Sequence, residues 1–419
     1  MSAIDAAVNE AMAALGADDP VAMRSVLARH PELRPKLNEP IGPFDSPAII
    51  HVRSREMLDV LLEAGADINS RSQWWAGGFG LLDMAGPEVA ACAIERGARF
   101  DAHSAARLGR LGTLRELLAG DPTLVHARGG DGQTPLHFAS TIEVADLLIA
   151  AGADLNVRDI DHESTPAQYM VRDRHPVARH LVAAGCDTEL LLTAALGDLE
   201  RTRRHLDADP RSIGMRVNPE WFPMANPKAG GTIYNWTLDS HASAHQVARR
   251  FGHDAVLELL FERTPPVSRV LEACWIEDES AARRFRAAVP DLAGALTVDQ
   301  RQFLAHAARN NQTTAVRLML ECGLPVDSRG QHQGTPLHWA AFHGNADMVR
   351  EILRFNPPLE ATDHDFKATP IGWAMYGSEN GWYASTGRHP EVVELLLGAG
   401  ARRPETIGGT PAVREAMRK

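Results

Sequence analysis

Cysteine is scarce. Four occur in 419 residues, Cys92, Cys186, Cys274 and Cys322, far apart and with no CxxC pair. That spacing excludes a disulfide framework and a zinc ribbon or finger, and it predicts small buried thiols in a reducing cytoplasm. Lysine is almost missing: only Lys36, Lys228, Lys367 and Lys419 stand among 43 basic residues. With abundant alanine, this composition reads as a GC-rich bacterial coding sequence. Excess positive charge is also lacking. The formal net charge is -11 and the pI about 5.9, which argues against nucleic acid or an anionic membrane as the general partner. No apolar run approaches the roughly 18 residues of a membrane span, and the acidic N-terminus has no basic n-region of a signal peptide. No GxSxG, Walker loop, strand-linked GxGxxG or HExxH is present, so the usual catalytic classes have no foothold.

What the chain does have is hydrophobic content, 44% against 23% charged residues, enough for packed cores. It also has internal repetition. One unit runs from Thr134-Pro135-Leu136-His137 to Asn156, and another from Thr335-Pro336-Leu337-His338 onward; fragments of the same pattern end at Asn69, Asp187, Asp327 and Ala401. Thr335 to the next Thr-Pro at Thr369 is 34 residues. The threonines suit N-caps and the prolines a first helical turn. Gly152 suits a left-handed helix C-cap. One such helix pair cannot bury its apolar face alone, so neighbours must stack.

The TPLHxA, LLL and GADxN pattern closely resembles the ankyrin-repeat family, whose period is about 33 residues. The resemblance implies an all-α ankyrin-repeat solenoid of helix-turn-helix units with hairpin tips, about twelve units filling residues 1–419 as one array. Residues 1–37 are expected as an N-terminal cap and 402–419 as a C-terminal cap. Residues 211–237 are expected as an inserted long β-hairpin, with arms near 213–217 and 232–236, bearing Trp221 and Trp236 as a packed decoration or a flap. Thr369-Pro370-Ile371-Gly372-Trp373-Ala374, followed by Gly377-Ser378-Glu379-Asn380-Gly381-Trp382, resembles a group of bacterial ankyrin proteins. Thr369 to Gly400 is 31 residues, about ten more than the family pattern has.

Departures from the pattern supply the candidate site. Two tips read DxD, three residues, then TP: Asp159-Ile160-Asp161-His162-Glu163 and Asp363-His364-Asp365. Their acids either make turn hydrogen bonds or form a carboxylate-histidine site. His245 replaces the usual leucine in a degenerate unit, four residues after His241, with Asp239 just before. No third ligand follows at a zinc spacing, so neither a metal nor a cofactor is expected. The resemblance places ligand contacts at the tips and after the first helix, which gives His332, Phe342, His343 and Tyr376. Trp339 and Trp373 either join that aromatic row or pack between repeats. His137 and His338 are expected to be structural. The chain therefore reads as a cytoplasmic protein that binds a partner, most naturally a protein, through a concave face of these residues, with Trp221, Trp236 and Trp382 among the binding candidates. The alternative is an enzyme or small-molecule binder with a pocket under the hairpin, using Asp161, Glu163 and His241 as acid-base groups.

Overall fold

The computed structural model describes residues 3–419. Its helices begin where the side chains can satisfy free amide groups. Thr134, Thr335 and Thr369 are N-caps with proline at the first helical position. At the first two, the histidine three residues on completes the cap: His137 Nδ1 accepts from Thr134 N at 3.1 Å, and His338 Nδ1 accepts from Thr335 N at 3.1 Å. Each ring then donates from Nε2 across to the next tip, to the carbonyls of Ser164 and Ala368 at 3.1 Å. These two histidines therefore bind adjacent repeats together, in their expected structural role. Gln168 and Gln246 do the capping half of that work in the degenerate units.

Two compact units result. The first takes the chain up to Thr188 together with Asn218–Leu238. In it a short first helix alternates with a longer second one: Ala48–His51 with Arg55–Glu63, Leu81–Met84 with Pro87–Glu95, Pro135–Phe138 with Ile142–Ala150, Pro166–Tyr169 with His175–Ala183. Some first helices shrink to a single turn, so the repeats are unequal. The asparagine that ends a GADxN run reaches into the next repeat: Asn69 and Asn156 accept from the backbone amides of Arg99 and Asp187 at 2.8 Å, and Asn38, outside such a run, does the same for Asp67 at 2.7 Å. Gly152 ends its helix at φ +95, as the sequence requires.

The second unit takes Glu189–Val217 with Asp239–Lys419. Its helix pairs include Leu190–Leu196 with Leu199–Ala208, Ala244–Arg250 with Asp254–Arg263, Pro266–Trp275 with Glu279–Ala287, and Phe303–Arg309 with Thr313–Glu321. Pro336–Phe342 with Ala346–Leu353 and Pro370–Asn380 with His389–Gly398 complete them. One continuous apolar core joins Val270, Trp275, Leu304, Met319, Ile352 and Leu396. A buried ion pair crosses it. Arg216 pairs with Glu272, which also accepts from Ser243 Oγ at 2.6 Å, and the guanidinium lies 4.8 and 4.0 Å from the ring centroids of Trp275 and Phe303.

The expected β-hairpin is absent. Among the described residues only isolated bridges occur and no strand. Pro210–Gly214 is a tight helical turn and Tyr234–Thr237 another. Val217 pairs instead with the backbone of His241 and Ala242. The physical reason is that both arms find other partners: Asp209 caps the turn at 210–214, Val217 pairs with the 241–242 backbone, and Ile233 N donates to Ser164 Oγ at 3.1 Å.

Candidate functional site

The Asp159 tip is built by its own first acid. Asp159 accepts from the amides of His162 and Ser164 at 2.7 Å and from the Tyr169 hydroxyl at 3.0 Å. Asp363 does the same in the second unit, for Phe366 and Ala368 and for the Trp373 indole at 3.0 Å. These acids thus hold turns. Both oxygens of Glu163 accept backbone amides, from Ala225 and Asn226 at 2.9 and 2.7 Å, so its carboxylate anchors the 218–232 loop. Asp161 accepts from Gly230 N at 3.0 Å. His162 faces Asp131 and Asp161, its Nε2 lying 3.8 and 3.9 Å from their carboxylate oxygens. Burial foremost pushes Asp131 up to about 6, with His162 pulling down and Asp161 and Asp159 pushing up. Asp131 was not singled out from sequence. Its signal is positional: it stands three residues before Thr134-Pro135, as His332 stands before Thr335-Pro336.

Trp221 is half-buried beside Asn218, and Trp236 is exposed at the end of the loop. Asp239 pairs with Arg250. His241 lies outside the helix that starts at Ala244, so it shares no helical face with His245. Its ring stacks on His306 with centroids 3.6 Å apart. Burial, then Arg216 and Arg309, pushes His241 down to about 4. His245 is fully buried, bonded to Thr264 Oγ1 at 2.8 Å. It is a core residue and not part of a binding face. Glu163 gives both carboxylate oxygens to backbone amides, and His241 gives its ring face to His306.

In the second unit the aromatic residues do converge. They line a pocket of about 380 Å³ with His332, Trp339, Phe342, Phe366, Trp373, Tyr376 and Trp382 in its walls. Trp339 and Trp373 meet edge to face at 4.9 Å and form its floor, both buried. Tyr376 and Trp382 stand at its rim, 62% and 60% exposed, with Phe366. The stretched last repeat explains the closure. Its first helix continues to Asn380, and the turn after Gly381 brings Trp382 back over Trp339 at 6.0 Å. Gly377 permits that packing, because a Cβ there would sit 2.2 Å from the Phe342 carbonyl. His332 is held at the pocket by Asp365, its Nδ1 at 2.6 Å. Arg309, another residue missed in the sequence, lies 5.1 Å from the Trp382 ring centroid.

His343 corrects the expected row. It is 2% exposed, with Nε2 donating to the Arg309 carbonyl at 2.8 Å. Burial pushes it down to about 4, against the opposing pull of that hydrogen bond. It supports the pocket from behind and does not line it.

Comparison with known proteins agrees with this repeat. Models of ankyrin repeats match residues 244–367 and 304–405 in sets of three copies, and residues 131–160 as a single repeat; the chain contains ankyrin repeats there. It is 53% identical over 49 residues to serine/threonine-protein kinase VIK of Arabidopsis thaliana, covering 11% of each chain. It is 33% identical over 93 residues to E3 ubiquitin-protein ligase XB3 of Oryza sativa subsp. japonica, covering 22% of this chain and 21% of that one. Palmitoyltransferase Hip14 of Drosophila melanogaster is 29% identical over 98 residues, 23% of this chain and 14% of its own. The chain thus spans less than a quarter of the length of these relatives. Among solved structures, the human ASB11 ankyrin repeat domain aligns with a TM-score of 0.30 at 19% identity, over 73% of this chain and 100% of that one. No helix among the described residues is long and apolar enough to cross a membrane.

Proposed function

We propose that this chain is a partner-binding protein whose ankyrin repeats present the Trp339–Trp382 pocket on a concave face. The partner is a protein, and it inserts an apolar or aromatic side chain into the pocket. The observation that carries this reading is a cavity of about 380 Å³ with nearly all-aromatic walls and three exposed rings at its rim. Exposed rings grouped around a cavity form the kind of contiguous apolar patch that marks an interaction site, and such residues dominate binding at interface centres. The ankyrin repeats support the same class of function, since stacked repeats offer an extended surface for protein recognition. The acidic net charge favours a protein over nucleic acid.

The pocket volume also lies in the range of small-molecule sites. A compact apolar molecule is therefore the second reading, at the same pocket and not beneath the 218–232 loop. A displayed random-peptide library selected on the full chain separates the two. Peptides sharing an apolar anchor, and weakened about five-fold or more on Tyr376→Ala or Trp382→Ala, support the protein reading. A library that yields no such peptide refutes it, and a small apolar molecule that binds and is lost in the same variants then supports the second.

A further inference from the structure

We propose that Asp131, Asp161 and His162, in the first unit, form a binding site for a divalent first-row transition ion such as Zn²⁺. The three residues offer one ligand atom each, all within 4.8 Å of one another. Small side-chain rotations close such a triangle onto an ion at about 2.0–2.2 Å. Two carboxylates alone would make an acidic patch. The imidazole makes the difference. His162 is 8% exposed, and its Nδ1 lies 2.8 Å from the Gly231 carbonyl, an acceptor only. Nδ1 must therefore carry the proton and donate it. In the neutral ring Nε2 is then a bare lone pair, without a hydrogen-bond donor, facing two carboxylate oxygens at 3.8 and 3.9 Å. One imidazole nitrogen and two carboxylates thus offer their ligand atoms around one largely buried point. Metal-bound histidines are held in the same way, with the second nitrogen donating to a backbone carbonyl.

The donor set selects the ion. One nitrogen and two carboxylate oxygens suit Zn²⁺ and its first-row neighbours, whereas Ca²⁺ and Mg²⁺ take oxygens only. The neighbouring bonds say what binding would do. Gly230 N donates to Asp161 Oδ1 at 3.0 Å and to the Asp161 carbonyl at 2.9 Å, and Gly231 O accepts from His162. Fixing the two ligands therefore fixes the 218–232 loop where it crosses the tip. The site is independent of the aromatic pocket reading, and either can fail alone.

The test is calorimetric titration of Zn²⁺ into the full chain stripped with chelator, beside Asp131→Asn and His162→Gln. Asn keeps the shape of Asp131 and tolerates its left-handed backbone, φ +54. One Zn²⁺ per chain is expected, with affinity falling about ten-fold or more in each variant, Ca²⁺ not competing, and slowed hydrogen exchange at 230–231 on Zn²⁺ addition. No stoichiometric binding overturns the site, as does binding of equal affinity in both variants. Should the variants fail to fold, exchange in the wild-type chain decides: slowing centred on 131, 161–162 and 230–231 supports the site, and slowing elsewhere overturns it.

Discussion

Replacing His343 with alanine should destabilise the second unit, although the residue follows the first helix at a position where repeats of this kind usually face a ligand. The ring is almost wholly buried, packed 5.2 Å from Tyr383 and 5.5 Å from Trp382 between ring centroids. Its loss removes a hydrogen bond to the Arg309 carbonyl, worth about 1 kcal/mol. It also leaves a cavity the size of an aromatic ring, for which truncation costs about 3 kcal/mol. One term opposes. Nδ1 of His343 is buried without a partner, and removing that group returns about 1 kcal/mol. The net is a loss of about 3 kcal/mol, or roughly 6–12 °C in the melting midpoint for a unit of this size. Differential scanning calorimetry on the full chain reads it. Tyr376→Ala provides the contrast, since that ring stands at the rim and its loss should change stability by about 0.5 kcal/mol or less. A His343→Ala midpoint within about 1 °C of wild type would refute the buried assignment and return His343 to the binding face.

Leu396→Ala should cost about 2–5 kcal/mol, because Leu396 is fully buried in the continuous core; a smaller loss in urea unfolding would mean the core collapses around the gap. Glu272→Gln should cost about 3–5 kcal/mol by leaving buried Arg216 without its counter-charge, and a near-neutral urea midpoint would refute that pairing. Acid should destabilise the fold. His137, held down to about 3, and His241, His338 and His343, held down to about 4, are buried neutral. Their folded values lie below the unfolded value of about 6.5, so the unfolded chain takes up protons first and stability falls as pH drops from about 6.5 towards 4. Each contributes a slope of about 1.4 kcal/mol per pH unit there; His306, held down to about 2, adds to it, while buried Asp83, Asp131 and Asp159, pushed up, run the other way. Stability flat or rising over that window, measured by denaturant titration, would contradict the burial of these rings.

The repeat was legible because its signals are local and chemical. Thr-Pro starts, the capping histidines and the post-helix glycine each act within a few residues, and they reappear as caps and inter-repeat bonds in the structure. The 211–237 segment was misread for the opposite reason. Its apolar arms look like strands, but strand pairing depends on distant partners, and the arms bond instead to Ala242 and to Ser164. The aromatic row was half legible. The family resemblance gave Phe342, His343 and Tyr376 and left Trp339 and Trp373 between the face and inter-repeat packing, yet it could not tell the ring that lines a pocket from His343, which lies behind it. Trp382 was a candidate from its motif, but its place over Trp339 depends on the turn after Asn380, whose path no periodicity encodes. Asp131 was missed because the cluster with Asp161 and His162 joins neighbouring tips about one repeat apart.

The aromatic pocket is most directly tested by the affinity of one selected peptide for four forms of the full chain: wild type, Tyr376→Ala, Trp382→Ala and, as a control in the other unit, Trp236→Ala. Isothermal titration should show binding weakened about five-fold or more by each of the two rim substitutions, with melting midpoints unchanged in Tyr376→Ala, and unaltered binding in Trp236→Ala. Equal affinity across all four forms would contradict the account and leave the pocket a packing feature of the last repeats.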